Sequence, residues 1–187
     1  MLILASTSPR RRALLRAAGI EFRVVAPRVD EPTRVASRRP ADLARRSALR
    51  KAREVAGRCR GLVLGADTIV VCAGEVMGKP RHRADARRML RKLSGRRHFV
   101  YTGLALVEGG RAALLRSERT EVTFRPLSKG DIERYLDTGE PMGKAGAYAI
   151  QGRGAALIRS VRGCYTNVIG LPVPKVLDML ASARRTG

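Results

Sequence analysis

The chain has 187 residues, 44% of them hydrophobic, and carries a formal net charge of +22. The hydrophobic content excludes wholesale disorder, and the length predicts a single domain over residues 1–187. No apolar stretch approaches the ~20 residues of a membrane helix, and no signal-peptide pattern is present, so we expect a soluble cytoplasmic protein with no membrane partner.

Apolar runs and helical periodicities alternate along the sequence, which is typical of α/β proteins. The first half predicts strands over 2–5, 22–25 and 61–71 and helices over 9–18 and 41–57. The second half predicts a short return strand after Ala73-Gly74, a helix over 85–93, a hairpin of 99–107 with 112–124, a helix between Ser128 and Gly139, and a last helix over 172–183.

Three consecutive arginines stand at the start of the first predicted helix, in LILASTSPRRRALL. Ser8 suits the N-cap and Pro9 the first helical position, so free backbone N–H groups and the positive end of the helix dipole lie there. Helical spacing turns Arg10 and Arg11 towards the body of the protein, and the bidentate guanidinium geometry fits phosphate. This predicts a phosphate site, with a solvated basic turn as the alternative.

A carboxylate interrupts the apolar strand GLVLGADTIVV. Because a buried carboxylate is costly unless it is paired, Asp67 requires either an arginine salt bridge or a divalent metal that also binds phosphate. In VDEPT, Asp30 and Glu31 are either a second carboxylate source for that metal or local counter-charge. Lys51 and Lys79 are candidate phosphate ligands, with ordinary exposed lysines as the alternative.

Several colinear motifs resemble those of the Maf family of nucleoside triphosphate pyrophosphatases. They are LASTSPRRRALL, VDE, LRKA, GADTIVV, GKP, MLRKLSGRRHFVYTG, GEPMGKAGAYAIQG and NVIGLP, and they run from Leu4 to Pro172. The resemblance implies an α/β fold like that of inosine triphosphate pyrophosphatases, with a bent mixed sheet, flanking helices and two lobes around a cleft. It also implies hydrolysis of a nucleoside triphosphate between the α and β phosphates, a divalent cation, Mg²⁺ or Mn²⁺, and a homodimer.

The resemblance assigns roles to individual side chains. Phosphate binding falls on Ser6, Ser8, Arg10 and Arg11, the essential acid (proton acceptor or metal ligand) on Asp67, the lysines on Lys51 and Lys79, an additional acid and second metal ligand on Glu31, and the base-side glutamine on Gln151. Arg11, Thr68 and Gln151 match the group that resembles dTTP/UTP pyrophosphatases, and a glutamine amide suits the O4 and N3–H edge of uracil or thymine.

One position departs from the family pattern. Gly143 stands where many members have Asp before the lysine of KAGAY, so the salt bridge or metal contact attributed to that acid does not carry over to this chain. Lys144 is therefore left out of the assigned residues.

Two other classes of function stay open. The net charge fits a protein that binds nucleic acid or another anionic polymer, but the basic residues are mostly arginines spread over the whole chain, and aromatic residues, at 4%, offer few stacking platforms. We therefore do not expect nucleic acid as a partner. A cell-division regulator would need only a partner surface and would leave the polar candidates unexplained. Cys59, Cys72 and Cys164 form no CxxC pair, which fits a reducing cytosol.

Overall fold

The computed structural model describes residues 1–29, 39–109 and 111–185, without the side chains of 111–113. The helices are α1 (Pro9–Ala17), α2 (Pro40–Ala56), α3 (Arg83–Leu93), α4 (Lys129–Asp137), α5 (Tyr165–Ile169) and α6 (Val173–Arg185). The strands are β1 (Leu2–Ala5), β2 (Phe22–Val24), β3 (Val63–Cys72), β4 (Glu75–Met77), β5 (Arg97–Glu108), β6 (Arg111–Phe124) and β7 (Ile158–Arg162). Within these described residues, every helix is too short or too polar to cross a membrane.

The elements expected from periodicity are confirmed, with bounds that shift by up to two residues. Four elements were not expected from the sequence: β7, α5 and two 3₁₀ turns at Ala145–Ala147 and Arg153–Leu157. These elements are five residues or fewer, too short to display a period, and β7 is an edge strand that pairs with β6 alone. Their formation depends on tertiary contacts that local patterns do not record.

The strands form one mixed sheet of seven strands in the order β2-β1-β3-β5-β6-β7, with β4 also paired to β3. β1 runs parallel to β2 and β3, and the other pairs are antiparallel. Along the edge of β3 opposite β5, the pairing with β1 ends at Gly65 and the pairing with β4 begins at Val70. In the described ranges, residues 66–69 therefore have no strand neighbour on that edge. We call this opening the β3 gap.

Two core clusters lie on one face of β3, on either side of the gap. Leu64 and Ala66 pack with apolar residues of β1, α1 and α6. Val70 and Cys72 pack with those of α3 and α4. Thr68 belongs to the same face and lies between the two clusters. A polar side chain therefore separates the apolar residues that pack on α1 and α6 from those that pack on α3 and α4.

The opposite face of β3 is covered by α2 at unusually short range. A Cβ atom on Gly65 would lie 2.2 Å from the Ala48 carbonyl oxygen, and one on Gly103 would lie 2.1 Å from the Ala44 carbonyl carbon. Gly103 stands opposite Asp67 in the β3–β5 register. The missing side chains let the α2 backbone rest on the sheet beside Asp67.

We expect Gly103→Ala to destabilise the protein strongly. The added methyl group meets backbone atoms of α2, which cannot move aside as a side chain can, so the free energy of unfolding should fall by at least about 2 kcal/mol. Gly57→Ala is the control, because Gly57 has a helical φ of −66° and a Cβ there meets nothing closer than 3.6 Å. Equal urea midpoints for the two variants would contradict the close-packing argument.

A buried histidine on β5 packs against Phe124 of β6 and against Tyr148, which follows the first 3₁₀ turn. His98 is fully buried, its Nε2 atom lies 2.9 Å from the Tyr148 hydroxyl, and its ring meets Phe124 edge-on at 5.0 Å. Burial lowers the pKa of His98 from 6.5 to about 4. The neutral ring is therefore the native form.

Stability should fall as the pH falls below the unfolded-state pKa of His98. His98 binds a proton near pH 6.5 in the unfolded chain but only near pH 4 in the folded chain. Lowering the pH between these two values therefore favours the unfolded state. Between pH 7 and pH 5 the loss amounts to about 2 kcal/mol. Urea unfolding at both pH values measures it, and His98→Gln, which cannot titrate there, should flatten the dependence. An NMR titration that gives His98 a pKa near 6.5 would contradict this expectation.

Candidate active site

A cavity of about 920 Å³ opens at the β3 gap. Its wall is formed by the start of α1 (residues 7–11), the centre of β3 (67–70), the segment after β4 that carries Lys79 and Arg81, residues 143–145, and the end of α5 with Gly170. This volume is typical of sites that enclose a small-molecule ligand.

The start of α1 has the capping geometry that the sequence predicts. The Ser8 hydroxyl accepts a hydrogen bond from the Arg11 backbone N–H at 3.5 Å, and Pro9 opens the helix. Ser8 lies in the cavity wall, whereas Ser6 is buried and lies outside it. The Ser6 oxygen accepts from the Ser8 backbone N–H and from the Arg11 guanidinium, both at 3.2 Å. Ser6 therefore shapes the turn, and the structure does not bring it into the phosphate site expected from the resemblance.

Arg10 and Arg11 both reach the cavity wall, in different environments. Arg11 is 9% exposed as a residue, and its guanidinium donates to the Gly170 carbonyl at 2.9 Å, to Thr68 Oγ1 at 3.0 Å and to Ser6 Oγ at 3.2 Å. Burial lowers the pKa of Arg10, against the opposing effects of Tyr135 and Glu140. Arg11 therefore links α1 to β3 and to the end of α5, and it also contributes a positive charge to the cavity wall.

Asp67 forms a salt bridge, as one of the two alternatives from the sequence expected, but its partner is a lysine and not an arginine. Lys51 Nζ, on α2, lies 2.6 Å from Asp67 Oδ1, and both residues are buried. Asp67 lies in the cavity wall and Lys51 behind it. Lys51 is accordingly no ordinary exposed lysine, and its ammonium group holds the carboxylate at the cavity surface.

The cavity wall offers few oxygen ligands for a divalent metal. Among the described lining residues Asp67 is the acidic one, and no group of three His, Cys, Asp or Glu side chains forms in the described ranges. Glu31 and its neighbour Asp30, the expected additional acids, lie outside the described residues. Mg²⁺ commonly uses one or two carboxylates together with substrate phosphates, so a single carboxylate in the wall fits that mode and does not fit an all-protein cage.

Three further cations lie in the wall. Lys79, a candidate from the sequence, is exposed, and Arg81 and Lys144 are lining residues that were not expected from the sequence. Burial and the neighbouring Arg10 lower the pKa of Lys144, while Glu140 opposes the shift. The KAGAY motif contains Lys144 and was the signal that could have identified it. The residue was left out because Gly143 replaces the usual acid before it.

Gln151, the expected base-side residue, is exposed and lies outside the cavity wall. Its turn is attached to the core by Glu140, whose carboxylate accepts from the backbone N–H groups of Arg153 at 3.0 Å and Gly154 at 2.9 Å. Thr68, by contrast, contributes to the wall. The structure thus brings together Ser8, Arg10, Arg11, Asp67, Thr68 and Lys79, with Lys51 behind them, and leaves Gln151 apart.

We expect Lys51→Met to be destabilising because it removes the ammonium group beside a buried carboxylate. The free energy of unfolding should fall by about 3 kcal/mol, and Lys51→Met combined with Asp67→Asn should recover part of that loss, because the neutral amide needs no counter-charge. Lys175→Met, which breaks a more exposed pair with Glu118, is the control and should cost less than about 1 kcal/mol. Chemical denaturation measures all three, and a double variant as unstable as Lys51→Met would oppose this interpretation.

Comparison with known proteins gives a consistent result. The model of a family described as Maf-like protein matches residues 1–183. A dTTP/UTP pyrophosphatase of Symbiobacterium thermophilum is 58% identical over 96% of this chain and 92% of its own length. One of Geobacter sulfurreducens is 50% identical over 100% and 96%. The crystal structure of a nucleoside-triphosphatase / dITP/XTP pyrophosphatase from Mycobacterium abscessus matches 99% of this chain and 94% of its own, at 19% identity and a TM-score of 0.50. The last match confirms the expected fold class.

Proposed function

The chain belongs to the Maf family, and we propose that it hydrolyses dTTP and UTP between the α and β phosphates, releasing the nucleoside monophosphate and pyrophosphate. The name carried by relatives at 58% and 50% identity supports this substrate class. The observation that carries the proposal is the β3 gap, where a carboxylate held by a lysine shares one cavity with the cationic start of α1.

The cations of the cavity are proposed to bind the triphosphate tail. The start of α1, with its free N–H groups, and Arg10, Lys79 and Lys144 all line the cavity, so together they attract a polyanion. In the reaction, charge accumulates on the pyrophosphate leaving group as the bond between the α-phosphorus and the bridging oxygen breaks. Fixed cations stabilise that charge without having to reorganise.

Asp67 is proposed to orient the attacking water. A water oxygen bonds to the α-phosphorus, the bridging oxygen leaves with pyrophosphate, and the Asp67 carboxylate takes the proton that the water loses. Lys51, at 2.6 Å from Asp67 Oδ1, keeps that carboxylate in one orientation. The protein forms no covalent bond with the substrate in this scheme.

We also propose that Asp67, with Glu31, holds Mg²⁺ or Mn²⁺. The ion supplies neutralisation of phosphate charge when it is bound. The position of Asp67 in the cavity wall supports this role.

Recognition of the base is proposed to involve Arg11 directly and Thr68 indirectly, since Thr68 Oγ1 accepts from Arg11 Nη2 at 3.0 Å and holds the guanidinium in the wall. The part assigned to Gln151 by the resemblance stays a prediction. The homodimer, the cytoplasmic location and the single domain over 1–187 also stay predictions.

The test is a panel of canonical nucleoside triphosphates incubated with Mg²⁺ or Mn²⁺, with pyrophosphate and orthophosphate measured separately. We expect pyrophosphate from dTTP and UTP, little turnover of purine nucleotides and none in the presence of a chelator. Orthophosphate as the sole product would exclude cleavage between the α and β phosphates.

In the same assay we expect Asp67→Asn to lower kcat for dTTP by about 100-fold or more, because the amide cannot accept the proton. Asp178→Asn, at an exposed position of α6, is the matched control and should leave kcat unchanged. Circular dichroism verifies that both variants are folded. Near-normal pyrophosphate release by folded Asp67→Asn would remove this residue from the mechanism.

A further inference from the structure

Thr102 lies directly behind the cavity wall. It stands on β5 opposite Thr68 in the antiparallel β3–β5 register, and its side chain is fully buried. The two hydroxyl oxygens are 2.9 Å apart. Thr102 does not line the cavity, so any effect on a bound nucleotide must pass through Thr68.

The hydrogen-bond chemistry fixes the direction of each bond around Thr68. Arg11 can only donate, so Thr68 Oγ1 accepts from its Nη2 atom at 3.0 Å. The Gly170 carbonyl can only accept, and it lies 3.3 Å from the same oxygen. Among the described residues, the Thr102 hydroxyl has Thr68 as its hydrogen-bond partner, so its buried proton is satisfied when it donates to Thr68. Thr68 then accepts two bonds and gives its own proton to Gly170.

This arrangement leaves the Thr68 hydroxyl with no proton for a ligand. Its role is to hold Arg11, because the guanidinium is fixed by Thr68 Oγ1 and the Gly170 carbonyl on one side and by Ser6 Oγ on the other. Without the bond from Thr102, the Thr68 side chain would lose the partner that holds its rotamer, and its contacts with Gly170 and Arg11 would weaken. The Arg11 guanidinium would then lose part of the constraint that fixes it in the wall.

We propose that Thr102 is a positioning residue for nucleotide binding: its buried hydroxyl orders Thr68, and through Thr68 it fixes Arg11 in the cavity wall. The proposal rests on the proposed function for the identity of the nucleotide. It assigns Thr102 no contact with substrate and no part in the chemical step. The effect therefore belongs to substrate affinity, and kcat is expected to stay close to that of the unchanged protein.

Two substitutions separate positioning from packing. Thr102→Val keeps the shape of the side chain and removes its proton, whereas Thr102→Ser keeps the hydroxyl and removes a buried methyl group. Both should lower the melting temperature. Only Thr102→Val should raise KM for dTTP, by about five- to tenfold with kcat within about twofold, since a buried hydrogen bond is worth about that factor. The Kd of α,β-methylene-dTTP, measured by calorimetry, should rise by the same factor.

A double variant tests the route through Thr68. Thr68→Val should itself raise KM, and adding Thr102→Val to it should have no further effect, since the two hydroxyls act in one chain. An unchanged KM in Thr102→Val, an equal rise in Thr102→Ser, or additive effects in the double variant would each overturn the inference. If the unchanged protein releases no pyrophosphate from dTTP, the proposed function fails instead. The Kd series then still decides the role of Thr102, with absence of analogue binding counting against it.

Discussion

The β3 gap is the constraint on which the site depends. Side chains of a strand alternate between its two faces, so Asp67 and Thr68 point to opposite sides of the sheet. Both can contribute to one cavity because β1 stops pairing at Gly65 and β4 starts only at Val70, which leaves the edge between them open. A continuous strand along that edge would separate the two side chains. The chemistry of the cavity therefore originates in sheet topology.

At the β3 gap each face of the sheet carries one buried charged group, and the two groups are held by different kinds of partner. On one face the Asp67 carboxylate is paired with Lys51, which α2 can deliver because Gly65 and Gly103 allow its backbone to rest on the sheet. On the other face the Arg11 guanidinium is held by neutral oxygens. A buried charge that lacked such partners would lower the stability of the fold. The contacts that pack α1 and α2 onto the sheet are therefore also the contacts that hold the charged groups of the site in place.

The parts of the candidate site that a short stretch of sequence specifies were predictable. Ser8 and Pro9, two adjacent residues, specify the helix start, and Asp67 is conspicuous because it is a carboxylate in a mostly apolar strand. The partner of Asp67 was not predictable, since Lys51 is 16 residues away and meets it only through the packing of α2 on β3. The same holds for Gln151, whose exposure follows from the attachment of its turn to Glu140. Local patterns identified the polar groups, and the tertiary fold decided which of them meet.

The cavity also carries a charge imbalance that bears on the ligand it accepts. Arg10 and Lys144 both lie in its wall, and their two positive charges repel each other. Glu140 is close enough to moderate both, but its carboxylate is already engaged by the Tyr135 hydroxyl and by two backbone N–H groups, and Gly143 supplies no acid. An anion that enters between the two cations relieves their repulsion as well as gaining its own contacts. The triphosphate tail of the proposed substrate carries several negative oxygens, so its binding would bring the cavity closer to electrostatic balance.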